Sequence, residues 1–405
     1  MHFVNANDLV YKKIASTISG YPTEKPMLPY SAYQQRLSNL LYALKENSLD
    51  AIIIYGDKEH FYNIQYYAGF SPRFEESLLI IHADGKMFAA LGNECFGIVE
   101  QSPVRINAIL CSLFSLPNQP MHGFKSLHEI IGSCGIRSAM QIGLVDWKLP
   151  MQVDLANSTE FSFMPVYIYQ AILEVCGSEK YLHNATSILI NPSDGLRITN
   201  NEDEIAELEY GACIASQAIK DIMNTIEPGI SEKDLSLVAK TFGQPLNVHP
   251  SIKAGPNARK SMVSPSDYVL KAGDEVSFSY GLEGGLSCRR GYLAKNDIDI
   301  SVDGTEYIEN YVKPYMATVF NWYQMIQIGA RFGDIYEMVA QTLPQEIYGW
   351  KLNPGHYIGY EEWLSSPIYS SSTITIKSGT ILQMDIIPSN PHFYTPKCED
   401  GICIA

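Results

Sequence analysis

The sequence predicts two domains: an α/β N-terminal domain with a mixed sheet over residues 1–190, and an α+β C-terminal domain over residues 195–405. Three observations carry this division. At 405 residues the chain is too long for one ordinary core. Its first half alternates helix-period and strand-like apolar runs, whereas its second half gathers strands behind long helices. Between the halves lies a turn-rich break, Asn191-Pro-Ser-Asp-Gly195.

In the first half, Leu37, Leu40, Leu41 and Leu44 recur at helical spacing within Tyr30 to Asn47, with charges on the other face. A buried strand follows, Asp50-Ala-Ile-Ile-Ile-Tyr55, then a second at Ser77 to His82. Asp84-Gly85 turns the chain into a third strand, Met87 to Leu91. Further alternation predicts a helix at 124–133, a strand at 140–145 and apolar segments around 160–175. In the second half, acids at Glu202, Asp203 and Glu204 open a helix that runs to Thr225 and stops before Pro228-Gly229. Ser231-Glu-Lys-Asp234 opens the next with a capping-box-like pattern. Strands are expected at 248–254, 275–281, 285–288, 373–377, 380–387 and 401–404, and helices at 304–328 and 331–342. Gly281-Leu-Glu-Gly-Gly285 lacks the lysine and following helix of a phosphate loop and reads as a hairpin turn.

Composition narrows the function. The chain carries 29 basic against 44 acidic residues, a net charge of −15, which argues against nucleic acid or an anionic membrane surface as a partner. No apolar run approaches the roughly 20 residues that cross a bilayer, and Met1 to Lys13 lacks the apolar centre of a secretion signal. Eight cysteines are scattered without CxxC pairs, the pattern of reduced thiols in a cytoplasmic protein rather than of structural zinc.

Several ordered segments resemble the creatinase/prolidase/aminopeptidase-P family. Tyr66-Tyr67-Ala-Gly69-Phe70 is similar to its "Y-L-T-G-F" segment, and Ile226-Glu-Pro-Gly229-Ile-Ser-Glu to its "l-k-P-G-v-t-E". Gly255-Pro-Asn-Ala258, Leu270-Lys-Ala-Gly273-Asp274, Gly355-His356-Tyr-Ile-Gly359, Gly379 to Asp385 and Glu399-Asp400 follow in the family's order. The resemblance implies a creatinase-like N-terminal domain, a pita-bread C-terminal domain and a homodimer. It also implies a site in which two divalent ions are held by Asp, Asp, His, Glu and Glu, because two close cations need several carboxylates to offset their repulsion.

Carried over position by position, that site is incomplete. The first Asp, five residues past Asp274, is Ser279; the second, eleven further on, is Arg290. The His is kept as His356, the first Glu becomes Asp385 and the second is kept as Glu399. The family's two auxiliary histidines are replaced by Met262 and Trp363. A guanidinium stays charged at any working pH and repels a neighbouring dication. The expectation is therefore that no metal binds, neither the dinuclear Mn, Co or Zn pair nor structural zinc. Arg290, with Arg289, is expected to pair with Asp385 and Glu399 while His356 hydrogen-bonds the same cluster. Creatinase works without metal, but it relies on the histidine that is Met262 here.

The resulting expectation is a metal-independent homologue that binds or hydrolyses a small amino-acid-like or peptide-like molecule. His356, Asp385 and Glu399 would serve as the acid/base set, and Ser279, Arg289, Arg290, Met262 and Trp363 would line the pocket. The alternatives are a catalytically dead recognition module for a peptide or protein partner, and a true Xaa-Pro peptidase. Cys288 reads either as a core cysteine or as a thiolate beside cations. His60, Arg73 and Glu75 read either as solvated turns or, by the family's dimer, as ligand-facing residues. Trp350, Tyr357, Tyr360, Trp363 and Tyr369 read as a pocket wall or as core.

Overall fold

The computed structural model describes residues 3–12, 20–119, 123–149, 162–300 and 302–405. Residues 160 and 161 of the expected apolar segment, and Met1, His2 and Lys13 of the N-terminal reading, lie outside these. Two units are present: Leu28–Ile198, and Thr199–Ala405 together with Met1–Met27. The first 27 residues thus group with the second unit, which differs from the expected 1–190 domain. The reason lies in specific anchors. Both the backbone N–H and the carbonyl of Val4 hydrogen-bond the buried amide of Asn321, and the Tyr21 hydroxyl donates to Asp221.

In the first unit a six-stranded sheet runs in the order β4-β3-β2-β1-β5-β6. The strands are β1 (Ala51–Gly56), β2 (Ser77–His82), β3 (Met87–Leu91), β4 (Asn107–Leu110), β5 (Ile142–Val145) and β6 (Leu182–Asn184). β1 pairs antiparallel with β2 but parallel with β5, so the sheet is mixed as expected. All six residues of β1 are buried, as a central strand covered on both faces requires. One face packs Ile53, Leu78, Ile80 and Leu144 against helices Leu127–Ser133 and Val166–Cys176 through Ile130, Ile131, Ile168 and Ile172.

The second unit holds an antiparallel sheet in the order β10-β11-β12-β9-β8-β7. Its strands are β7 (Leu246–Ala254), β8 (Glu275–Leu282), β9 (Gly285–Tyr292), β10 (His356–Tyr357), β11 (Thr380–Met384) and β12 (Lys397–Ile404). Alternation along β7 and β8 separates two faces. Ile252, Ala254, Val276, Phe278 and Tyr280 join Ala218, Ile219 and Ile222 of helix Glu202–Thr225 in one core. Ser251, Lys253, Ser277 and Ser279 therefore point to the opposite face. The turn from β8 to β9 is the expected hairpin. Gly284 there has φ +103°, and a Cβ would stand 1.9 Å from the Leu208 carbonyl oxygen.

Three expectations change. The segment 373–377 forms no strand; Thr375 makes only an isolated bridge to Arg331. The helix expected over 304–328 contains a π-helical turn, Ile308–Val312, just before Pro314, whose missing N–H interrupts the regular ladder. Finally, the last strand begins at Lys397 rather than 401.

The helix Glu232–Ser236 starts as predicted, with the Ser231 hydroxyl accepting from the Asp234 N–H. Glu232 is fully buried and accepts from Ala254 N–H (2.7 Å), Ser266 N–H (2.8 Å) and Ser266 Oγ (2.6 Å). Replacing it with alanine orphans those donors, so Glu232→Ala should cost about 3 kcal/mol. A shift of the urea midpoint below a quarter of that would show that water replaces the carboxylate without loss.

Candidate functional site

Directly opposed residues of an antiparallel ladder point to the same face. Ser251 opposes Ser279, Ser279 opposes Cys288, and Cys288 opposes Glu399. One step along, Lys253 opposes Ser277, Ser277 opposes Arg290, and Arg290 opposes Lys397. Beyond β12, Gln383 opposes both Gly401 and His356. These residues share the face opposite the helical core, and Asp385 follows directly after β11.

Three of the expected residues converge there. Asp385 and Glu399 are 7% and 4% exposed, and the His356 side chain is 12% exposed. The cation between the two acids is not an arginine. It is Lys397, whose Nζ lies 3.0 Å from Asp385 Oδ1 and 2.5 Å from Glu399 Oε2. Lys397 and Glu399 are two apart on one strand and so project side by side.

The arginines find other partners, which corrects the expected ion pairs. Arg290 donates to Thr395 Oγ1 at 3.3 Å and lies 5.4 Å from the Tyr394 ring centre. Arg289, on the alternate face, pairs with Asp400 at 2.7 Å and donates to the carbonyls of Cys288 and Glu399. The physical cause is local. An aromatic face attracts the flat guanidinium, while the compact ammonium fits between two buried carboxylates.

A third carboxylate completes the cluster. Glu362, in the loop between β10 and β11, is 7% exposed, and its Oε1 lies 3.8 Å from His356 Nε2. Neither Glu362 oxygen has a hydrogen-bond partner, and nor does His356 Nε2. His356 Nδ1 lies 3.2 Å from its acceptor, the Tyr357 carbonyl oxygen. Donation to that carbonyl leaves the lone pair on Nε2, facing Glu362.

Electrostatics follow from burial. Burial pushes the Glu362 and Glu399 carboxyls up, each reinforced by its carboxylate neighbours and opposed by Lys397. Burial also lowers His356, against the pull of Asp385, which keeps the imidazole neutral at pH 7. For Lys397 burial works against the charge, but Glu399, Cys288 and Asp385 outweigh it and hold the ammonium well above its ordinary value. Cys288 is buried on the site face opposite Glu399, and burial pushes its thiol up to about 11, so it is a buried thiol and not a thiolate.

The other pocket candidates lie apart from this cluster. Ser279 is half-buried on the same face, and among the described residues no side chain hydrogen-bonds its hydroxyl. Met262 is 51% exposed and Trp363 is 75% exposed, so neither side chain is buried in the cluster. Trp350, Tyr357 and Tyr360 are core, while Tyr369 is partly exposed. In the first unit Glu75 accepts from the N–H groups of Glu94 and Cys95. There His60 stacks on Trp147 at 4.2 Å, and Arg73 pairs loosely with Glu59.

As metal donors, His356, Glu362 and Glu399 offer ligand atoms that all lie within 4.8 Å of one another. Sequence reasoning missed two of the central residues. Lys397 had a usable signal, the i, i+2 relation to Glu399, had the strand been started earlier. Glu362 had none, since it lies in an irregular loop.

An antiparallel sheet carrying a buried His–carboxylate cluster on the face opposite its helices defines a pita-bread, peptidase-type protein. Residues 206–404 match metallopeptidase family M24. That match spans most of the second unit, just under half of the chain. The fold of the chain is similar to that of an Xaa-Pro dipeptidase from Bacillus anthracis (TM-score 0.67, 16% identity, 92% of this chain and 95% of that one). It is equally similar to the prolidase from Pyrococcus horikoshii OT3 (0.69, 15%, 92% and 95%). An X-Pro aminopeptidase from Thermotoga maritima MSB8 also matches (0.67, 13%, 91% and 94%). At these identities the likeness is one of fold. No curated protein matches the sequence. Among the described residues no helix is long and apolar enough to cross a membrane.

Proposed function

We propose that this protein binds or hydrolyses a small amino-acid-like or peptide-like molecule without the two-metal centre of its family. The observation that carries this reading is the Lys397 ammonium seated between Asp385 and Glu399. A dinuclear centre does not fit this donor set. A bridging carboxylate would have to hold both ions, but the two acids at the right positions already share an ammonium. The places of the two aspartates hold Ser279 and Arg290, and a guanidinium brings no donor lone pair. His356 and the neighbouring carboxylates remain as acid/base groups for a ligand on this face.

Two measurements test the reading together. Xaa-Pro dipeptides incubated with the protein and added Mn²⁺ or Co²⁺ should show no metal-stimulated hydrolysis. A thermal-shift panel of amino acids and dipeptides should contain compounds that raise the melting temperature by mass action. Robust Mn²⁺-dependent cleavage of a dipeptide would instead make this a working Xaa-Pro peptidase. A panel with no stabilising compound would leave a recognition module for a larger partner.

A further inference from the structure

The site face also carries a row of cations. Lys253 on β7, Ser277 on β8, Arg290 on β9 and Lys397 on β12 oppose one another in register and so share that face. Lys397 is taken by Asp385 and Glu399. Lys253 and Arg290 are not so occupied, and among the described residues no carboxylate stands within ion-pair distance of either. Lys253 Nζ donates to the Lys260 carbonyl at 2.7 Å. Arg290 makes its one long bond to Thr395 and rests against Tyr394, which leaves most of its five N–H donors unused. Acids are not scarce, since the chain has 44 acidic against 29 basic residues. Both cations are half-buried. Burial lowers the Lys253 ammonium below its ordinary value, and the charges of Arg290 and Lys397 add to the effect. Two cations so placed repel each other unless an anion joins them.

We propose that Lys253 and Arg290 form the receptor for a carboxylate group, so that the molecule bound on this face is an acid, such as an amino acid or a peptide with a free C-terminus. The spacing suits one small anion. Two strand separations set the bases of the two side chains about 9–10 Å apart, and both side chains are long enough to close on a group above Ser277. The guanidinium offers a planar fork for both carboxylate oxygens, and the ammonium adds a point charge. Each cation is held in place beforehand. Tyr394, which supports the guanidinium, donates to the Ala258 carbonyl at 2.9 Å, and the Lys260 carbonyl that holds Lys253 belongs to the same loop. Lys397 faces Arg290 and already occupies Asp385 and Glu399, so those acids do not compete for the receptor. The inference rests on the reading above that a small molecule binds this face, and it names the group by which that molecule is held.

The test offers the full-length native protein amino acids and dipeptides in matched pairs, each as the free acid and as its C-terminal amide, with inorganic phosphate alongside. Binding is followed by thermal shift and calorimetry. Free acids should stabilise the protein, and their amides should bind at least about tenfold more weakly, as the loss of a charge-assisted contact requires. This comparison does not depend on any variant folding. Arg290→Met and Lys253→Met should each weaken binding of the best free acid by roughly 10- to 100-fold, and Arg290→Lys should restore part of the loss. Equal binding of acids and amides would overturn the proposal and leave the proposed function standing. Acid-selective binding that neither variant changes would overturn the assignment to Lys253 and Arg290. Stabilisation by phosphate alone would overturn the carboxylate as the bound group. No stabilising compound at all would remove the small-molecule reading and this inference together.

Discussion

Replacing Lys397 with methionine is expected to destabilise the second unit by about 3–5 kcal/mol, because it leaves buried carboxylates without their cation. Asp385 and Glu399 are both under a tenth exposed, so water cannot take over the role of the ammonium. The flexible methionine roughly fills the space of the lysine stem, so the loss reports charge rather than a cavity. Arg290→Met is the discriminating companion. Arg290 makes one long hydrogen bond and an aromatic contact, which predicts a loss of about 1 kcal/mol. Chemical denaturation of both variants decides the matter. If Arg290→Met costs more than Lys397→Met, the arginine and not the lysine holds the acidic cluster together.

Gly355→Ala should destabilise by at least about 2 kcal/mol and loosen the site at the same time. Gly355 has φ +133°, a conformation that side-chain-bearing residues avoid. An added Cβ would stand 2.7 Å from the Gln383 carbonyl oxygen, 3.0 Å from Ile368 Cδ1 and 3.1 Å from Trp322 Cζ2. None of these can yield cheaply. Gln383 belongs to β11, and Trp322 is fully buried with its indole N–H bonded to the Pro354 carbonyl at 2.8 Å. Since His356 is the next residue and opposes Gln383, any shift is passed to its ring. The checks are the unfolding midpoint and the ring resonances of His356. An alanine variant of native stability with an unchanged His356 signal would show that the glycine is not required.

These effects show which parts of the molecule the sequence made legible. The mixed sheet of the first unit followed from short apolar runs such as Ala51 to Tyr55, because a strand buried on both faces must be apolar throughout. The split of the second unit's sheet into a core face and a site face is written in Val276, Phe278 and Tyr280 alternating with Ser277 and Ser279. The family resemblance, carried over position by position, is what grouped His356, Asp385 and Glu399. The grouping of the N-terminal segment with the second unit had no sequence signal, because Val4 and Tyr21 are anchored by hydrogen bonds to the distant Asn321 and Asp221, which leave no periodic trace.

The sequence by itself carried the resemblance, and with it the expectation that Ser279 and Arg290 stand at two of the family's five ligand positions. Only the tertiary structure decided which cation answers the remaining acids. Arg290 and Lys397 are opposed in register and point to one face, so both are candidates until the surroundings are known. Tyr394 and Thr395 draw the guanidinium away, and the ammonium is left between Asp385 and Glu399. The structure likewise brought in Glu362, from a loop without periodicity, to face His356. Local patterns report where a side chain points; they do not report which of several partners within reach it meets.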